Sequence, residues 1–442
     1  MAPTRRYDIL CLVVPCALAL ENGLGRTPAM GWNSWNALRC DITEDIILEV
    51  ARTMVDSGLR NAGYEYVIID DCWMGSRENG HLVEDVAKFP NGMRWLADEI
   101  HQLGLKFGLY LTAGNTTGEG LPGSLGYEEL DAADLAEWGV DYIKYDYCGM
   151  DEVKEESQFY YAKMRDAINA TGRPIFFAIS NWGLNDVQMW GAQVGNSWRT
   201  GRDLFSVWDE HNAREVLHLP SFLQSFSSAV AQQDSFAEHA GPGGFNEPGT
   251  LLVGLDGMSA FGVVDECPTH LPVGSCTPGQ YVSREVWGKV GGLTRIEQQS
   301  HFSFWCMLAS PLILGNDVRD MRGATLSIIN APELIAINQD ALGHQARRVW
   351  QEGPLEIWRK DLADHTHALL LYNSGETPAE ITVRWNRDLP DAAQHWQRSI
   401  PREPPCADKL TGTDCMNWAK SGECQRNVEF MSTSCMRSYR LV

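Results

Sequence analysis

Three acidic positions stand where short apolar runs end. Asp70-Asp71 close Tyr66-Val67-Ile68-Ile69, Asp146 closes Tyr142-Ile143-Lys144-Tyr145, and Asp203 follows Asn196-Ser197-Trp198-Arg199. Lys144 and Asp146 lie two residues apart, which on a strand puts both side chains on one face. A lysine at that spacing favours the ionised carboxylate, the state a covalent nucleophile needs. Arg199 stands four residues before Asp203, which becomes the candidate for a second, protonatable acid. Two carboxyls across one cleft are the working parts of a glycosidase; about 5–5.5 Å between them supports retention, and a wider gap inversion. An Asp at a strand end is, taken singly, more often a turn or cap residue. Here several converge with Lys144, Arg199 and tryptophans, and that convergence favours chemistry.

Other chemistries find little support. No G-x-S-x-G offers a serine nucleophile, and no G-x-G-x-x-G opens a helix after a strand. Lys144 beside an Asp reads as a charged partner rather than a Schiff-base amine. His365-Thr366-His367 would set two imidazoles on one strand face, but a solvated strand edge is the better reading than a metal pair. No metal and no cofactor is called for. With 36 Lys+Arg against 58 Asp+Glu in 442 residues, the net charge of -22 argues against nucleic acid or an anionic membrane surface as partner. A neutral sugar meets no such objection.

The elements that must hold these residues follow a repeating pattern. From about residue 30 to 340, apolar runs recur every thirty to forty residues with helical segments between them. The runs Tyr66–Ile69, Lys106–Tyr110, Val140–Tyr145 and Ile175–Ile179 predict parallel strands of βα units. Asp41-Ile42-Thr43-Glu44 predicts a capping box before a helix through Ile46, Ile47, Val50 and Met54, with Gly58 as its stop. A (β/α)8 TIM barrel over 26–343 fits better than an open doubly wound sheet, and its functional residues belong at the strand ends. Beyond it, Leu355/Ile357, Leu369/Leu371 and Ile381/Val383/Trp385 alternate at period two, which predicts an antiparallel β domain over 344–390. A Cys-rich module occupies 404–442.

The first residues read as an export signal. Arg5 and Arg6 precede an apolar run ending in Ala17-Leu18-Ala19, which predicts a signal peptide over 1–19. The run is short of the ~20 residues of a membrane span, so no membrane association is expected once it is removed. Asn115-Thr116-Thr117 and Asn169-Ala170-Thr171 are glycosylation sequons. In an oxidising compartment the cysteines are disulfide candidates, among them Cys267 and Cys276 around a Pro/Gly-rich loop, and Cys415 and Cys435 in the tail. The expected location is the secretory pathway, either extracellular or vacuolar-lysosomal.

Several stretches resemble glycoside hydrolase family 27, the α-galactosidases. They are Met30-Gly31-Trp32-Asn33-Ser34-Trp35, Ile69-Asp70-Asp71-Cys72-Trp73, Lys144-Tyr145-Asp146-Tyr147-Cys148, Ser197–Asp203, Ala240–Asn246 and Ala336-Ile337-Asn338-Gln339-Asp340. The resemblance runs from about 26 to 385. It implies hydrolysis of terminal α-galactosyl residues with retention, with Asp146 as nucleophile and Asp203 as general acid/base. It further implies that Asp70, Asp71, Lys144 and Arg199 hold the sugar hydroxyls, that Trp35 and Tyr110 wall the pocket, that Asn181 and Leu184 leave no room for a 2-acetamido group, and that Cys40 and Cys72 pair. A homodimer is kept as an expectation. The alternatives are β-L-arabinopyranosidase activity and a carbohydrate-binding protein with weakened catalysis.

Some positions depart from the family. Its Asn-Asp-Pro-Asp-Met run is Asn246-Glu247-Pro248-Gly249-Thr250 here, so an Asp expected to support Arg199 is missing. Gly118 stands where a partner for Cys148 is expected, which predicts a free thiol. Residues 257–290 form an insertion, and the β domain is short. The tail resembles a ShK-like toxin domain, with Tyr439 and Val442 in place of its last two cysteines.

Overall fold

A computed structural model describes residues 22–150, 156–209, 223–255, 292–375, 377–389 and 439–441. The expected signal peptide, Cys267, Cys276, Cys415, Cys435, the insertion and most of 404–442 lie outside the described residues.

Eight parallel strands form one sheet: β1 (Met30–Asn33), β2 (Tyr66–Ile69), β3 (Lys106–Thr112), β4 (Tyr142–Asp146), β5 (Phe176–Ser180), β6 (Ser197–Arg199), β7 (Phe245–Glu247) and β8 (Leu312–Leu314). Their order is β7-β6-β5-β4-β3-β2-β1-β8. A single bridge, Leu251 to Leu314, spans the remaining seam, with the Leu251 N–H donating to the Ile313 carbonyl at 3.0 Å. The curled parallel sheet is that of a β/α barrel, as expected.

Period-two alternation explains how the barrel carries a site. One face of β2 gives Tyr66, Ile68 and then Asp70; the matching rows of β4 and β5 are Tyr142, Lys144, Asp146 and Phe176, Ala178, Ser180. The lower members, Tyr66, Ile68, Tyr142, Phe176, Ala178 and Ile313, pack together as a separate buried cluster. Tyr142 and Phe176 stack there at 4.9 Å. A Cβ at Gly31 would fall 2.6 Å from the Tyr66 Cβ, so glycine on β1 makes room for this aromatic plug. The opposite strand faces, including Val67, Ile69, Phe107 and Ile143, join the large core beneath the helices.

Helix α1 (Glu44–Asp56) buries Ile47, Val50, Ala51 and Met54. Its cap is simpler than expected. Thr43 Oγ1 accepts from the Ile46 N–H, while the Glu44 carboxylate is drawn to Asn91, whose N–H and Nδ2 donate at 3.1 and 2.6 Å. Gly58 follows with φ +82°, the left-handed stop its position predicts.

Beyond the barrel, β9 (Arg347–Glu352), β10 (Leu355–Asp361) and β11 (His367–Asn373) form an antiparallel sheet, and Tyr439–Leu441 pairs parallel to β11. The third predicted strand is absent. Ile381 and Val383 are half-buried against Ile357, Leu369 and Leu389, but Trp385–Asp388 is a helical turn. Alternating burial there reflects packing onto the sheet, without a ladder. The two histidines do not share a strand face either: His365 sits in a turn at φ +64°, and His367 Nδ1 lies 2.8 Å from Asp361 Oδ1. Among the described residues no helix is long and apolar enough to cross a membrane.

Candidate active site

The ends of β1, β2 and β4 to β7 converge on one cleft. Asn33, Trp35, Lys144, Arg199, Asp203 and Thr250 line it, and a deeper recess below is lined by Tyr142, Ser180 and Glu247 together with Lys144 and Arg199.

Asp70 is 2% exposed and fully engaged. Its Oδ2 accepts from Asn33 Nδ2 at 2.7 Å and from Lys144 Nζ at 2.8 Å, and its Oδ1 accepts from the Asp71 N–H. Asp71 accepts from the Cys72 N–H at 2.7 Å and the Glu119 N–H at 3.1 Å. Burial still pushes its carboxyl up to about 7, with Asp70 adding to the rise. The expected disulfide between Cys40 and Cys72 is present. It fastens this turn to the segment after β1, at a residue held at φ +77°.

Asp146 is equally enclosed. Its Oδ2 accepts from the Tyr110 hydroxyl at 2.9 Å and the Cys148 thiol at 3.5 Å, and its Oδ1 from the Tyr147 N–H at 2.9 Å. Burial raises the Asp146 carboxyl; Lys144 is the strongest opposing influence, and Asp203 raises it further. The expected division of labour is therefore revised. Lys144 bonds to Asp70 on β2 and reaches Asp146 only through its field, because the long side chain crosses over the Tyr110 ring, 5.3 Å from its centroid. Burial works against the Lys144 charge, yet Asp70 and Asp146 outweigh it and hold the ammonium protonated.

Arg199 is 3% exposed. Its Nη2 donates to Asp203 Oδ1 at 2.8 Å and to the Arg202 carbonyl at 2.9 Å. Its Nε faces Glu247 Oε1 at 4.0 Å and makes no hydrogen bond. At Gly249, where the family's Asp is missing, a Cβ would lie 2.7 Å from Leu204 Cδ1. Support for Arg199 thus comes from Asp203 and, at longer range, Glu247.

Of the residues singled out from the sequence, Asp70, Asp71, Lys144, Asp146, Arg199 and Asp203 form one connected charge cluster, with Trp35 at its edge. Tyr110 bonds to Asp146 and is not among the residues lining the cleft or the recess. Asn181 stands apart: it is buried, and its Nδ2 donates to the Leu184 carbonyl at 2.8 Å, fixing its own loop. Cys148 is a free cysteine, and a Cβ built at Gly118 lies 3.7 Å from its sulfur. Asn33 and Glu247 were not singled out as site residues. Both end barrel strands, as the Asp positions do, and that placement was the available signal.

The barrel and the carboxyls gathered at its strand ends define a β/α-barrel hydrolase of the glycosidase type. The chain belongs to the α-galactosidase A family, glycoside hydrolase family 27, whose model matches residues 27–266 and 272–340. It is 40% identical over 365 residues to α-galactosidase A of Cellvibrio japonicus, covering 82% of this chain and 80% of that protein. The fold is similar to α-galactosidase I of Mortierella vinacea, with a TM-score of 0.72, 34% identity, and 84% and 87% of the two chains covered. The Saccharomyces cerevisiae α-galactosidase determined with raffinose also has a TM-score of 0.72, at 31% identity, covering 92% and 86%. The activity is that of an α-galactosidase, acting on α-galactosides.

Proposed function

We propose that this α-galactosidase works with retention through Asp146 and Asp203. The observation that carries the reading is that Asp203, Lys144 and Arg199 line one cleft while Asp146, two residues beyond Lys144 on β4, accepts from Tyr110 and the Tyr147 N–H. Asp203 donates its proton to the glycosidic oxygen while an Asp146 oxygen attacks the anomeric carbon, breaking the bond to the leaving group. Asp203, now ionised, takes a proton from water, whose oxygen displaces Asp146 and releases galactose with its original configuration. Lys144, the Tyr147 N–H and the Tyr110 hydroxyl all favour the charged form of Asp146.

Asp70, Asp71 and Lys144 are the recognition set for the axial 4-hydroxyl and its neighbours. A sugar lacking the axial group would leave buried acceptors unpaired, at a cost of ~1–3 kcal/mol. The yeast relative's raffinose makes galactosylated oligosaccharides the first substrates to try.

The chain is further proposed to enter the secretory pathway through residues 1–19 and to be secreted or vacuolar-lysosomal. Asn115 and Asn169 are both exposed and so accessible to glycan addition. A homodimer and a ShK-like tail whose Cys415 and Cys435 are disulfide candidates complete the proposal.

Rates on nitrophenyl α-galactoside and nitrophenyl β-L-arabinopyranoside, with NMR of the first-formed sugar, test the reading. Faster turnover of the galactoside, α-galactose as first product and loss of turnover in Asp146→Asn are expected. Faster turnover of the arabinoside, β-galactose as first product, or near-full activity in Asp146→Asn would refute it. Galactose binding without hydrolysis would leave only a carbohydrate-binding protein.

A further inference from the structure

The site contains a conflict. Asp203 has to carry a proton to the leaving group, yet its Oδ1 is taken up by Arg199 Nη2 at 2.8 Å. The resolution lies on the other side of the guanidinium. Glu247, on β7, is the register partner of Arg199 on β6 and places Oε1 4.0 Å from Arg199 Nε. Its Oε2 accepts from Ser197 Oγ at 3.5 Å, and the residue is 8% exposed, in the recess beneath the cleft.

We propose that Glu247 is a positioning residue: its carboxylate shares the Arg199 charge from below and so frees Asp203 to carry the proton that the reaction consumes. This rests on Asp203 being the general acid/base. The charge arrangement agrees. Facing Asp203 are Arg199 from its own segment, Lys144 and Asp146 from β4, and Glu247 from β7. Facing Glu247 are Arg199 and Ser197 from β6, Lys144 and Tyr142 from β4, and Asp203. Burial pushes the Glu247 carboxyl up, and Arg199 and Lys144 pull it down. Asp203 and Glu247 thus stand on two sides of one guanidinium, Asp203 at Nη2 and Glu247 nearest Nε. An acid at position 249 could not do this from its own backbone, because Gly249 sits at φ +148° with Leu204 in the space of a side chain.

The test is the pH profile of kcat/KM for Glu247→Gln on nitrophenyl α-galactoside, with galactose affinity measured by calorimetry. The alkaline limb should move down by about one pH unit and kcat at neutral pH fall ~10-fold, because less of the acid stays protonated. Galactose affinity should hold within about twofold, since Glu247 lies outside the recognition set. If that variant does not fold, Glu247→Asp, one methylene shorter, should shift the limb in the same direction by less. A limb superimposing on the wild type in the folded variant overturns the proposal. Asp203→Asn separates the two readings: if it keeps full activity, the acid/base assignment falls; if it is inactive while the Glu247 limb is unmoved, only the role of Glu247 falls.

Discussion

Lys144 on β4 and Asp70 just past the end of β2, two strands away, form a partly buried ion pair with Nζ donating to Oδ2 at 2.8 Å. Neither group has another ionic bond within 4 Å among the described residues, so each answers for the other's desolvation.

Breaking this pair from one side is therefore costly. Lys144→Met leaves Asp70 with only the Asn33 amide and one backbone N–H, and should lower stability by roughly 3–5 kcal/mol. Adding Asp70→Asn should recover much of that loss while leaving galactose binding absent. Thermal melts and calorimetry on the two singles and the double variant check it; strictly additive melting losses would show that the residues do not act as a pair.

Asp71 makes stability depend on pH. Its folded-state value of about 7 lies above the ordinary 3.8, so its contribution is full below about pH 4 and is lost as pH rises toward 7. Asp71→Asn gives up one acceptor, because Cys72 and Glu119 both donate to the carboxylate, and should melt below the wild type at pH 4. That deficit should close or reverse by pH 8, where the wild type has paid to ionise a buried acid. A melting difference constant from pH 4 to 8 would contradict the assignment.

The Gly118–Cys148 contact invites a bridge. With a Cβ placed 3.7 Å from the thiol, Gly118→Cys should oxidise without large backbone movement and add roughly 2–4 kcal/mol by closing a long loop. The bridge also removes the thiol from Asp146 Oδ2, so kcat should change while the melt rises. Melts with and without reductant, and kcat in both states, decide it; no difference on reduction would mean that no bridge forms.

Much of this arrangement is legible in the sequence because strand alternation is local. Tyr142, Lys144 and Asp146 must share a face once that stretch is a strand, and the same holds for Tyr66, Ile68 and Asp70. What spacing cannot reveal is which side chains meet across the barrel. Lys144 was read with its sequence neighbour Asp146, but its length carries it over Tyr110 to β2. Glu247 ends a strand as the Asp positions do, but its place opposite Arg199 comes from the β6–β7 register. The reading of Ile381 and Val383 as a strand failed for a related reason: alternation reports one buried side, and a ladder also needs a partner.

The Leu251–Leu314 bridge has a consequence for how the chain can vary. Every other strand boundary is stitched by at least two residue pairs, whereas this one is held at a single point, just before residue 256. Extra chain length added after such a fastening disturbs almost no ladder, and the strands that carry Asp70, Lys144, Asp146 and Arg199 are paired elsewhere in the sheet. New peptide can be acquired at this joint with little loss of barrel pairing.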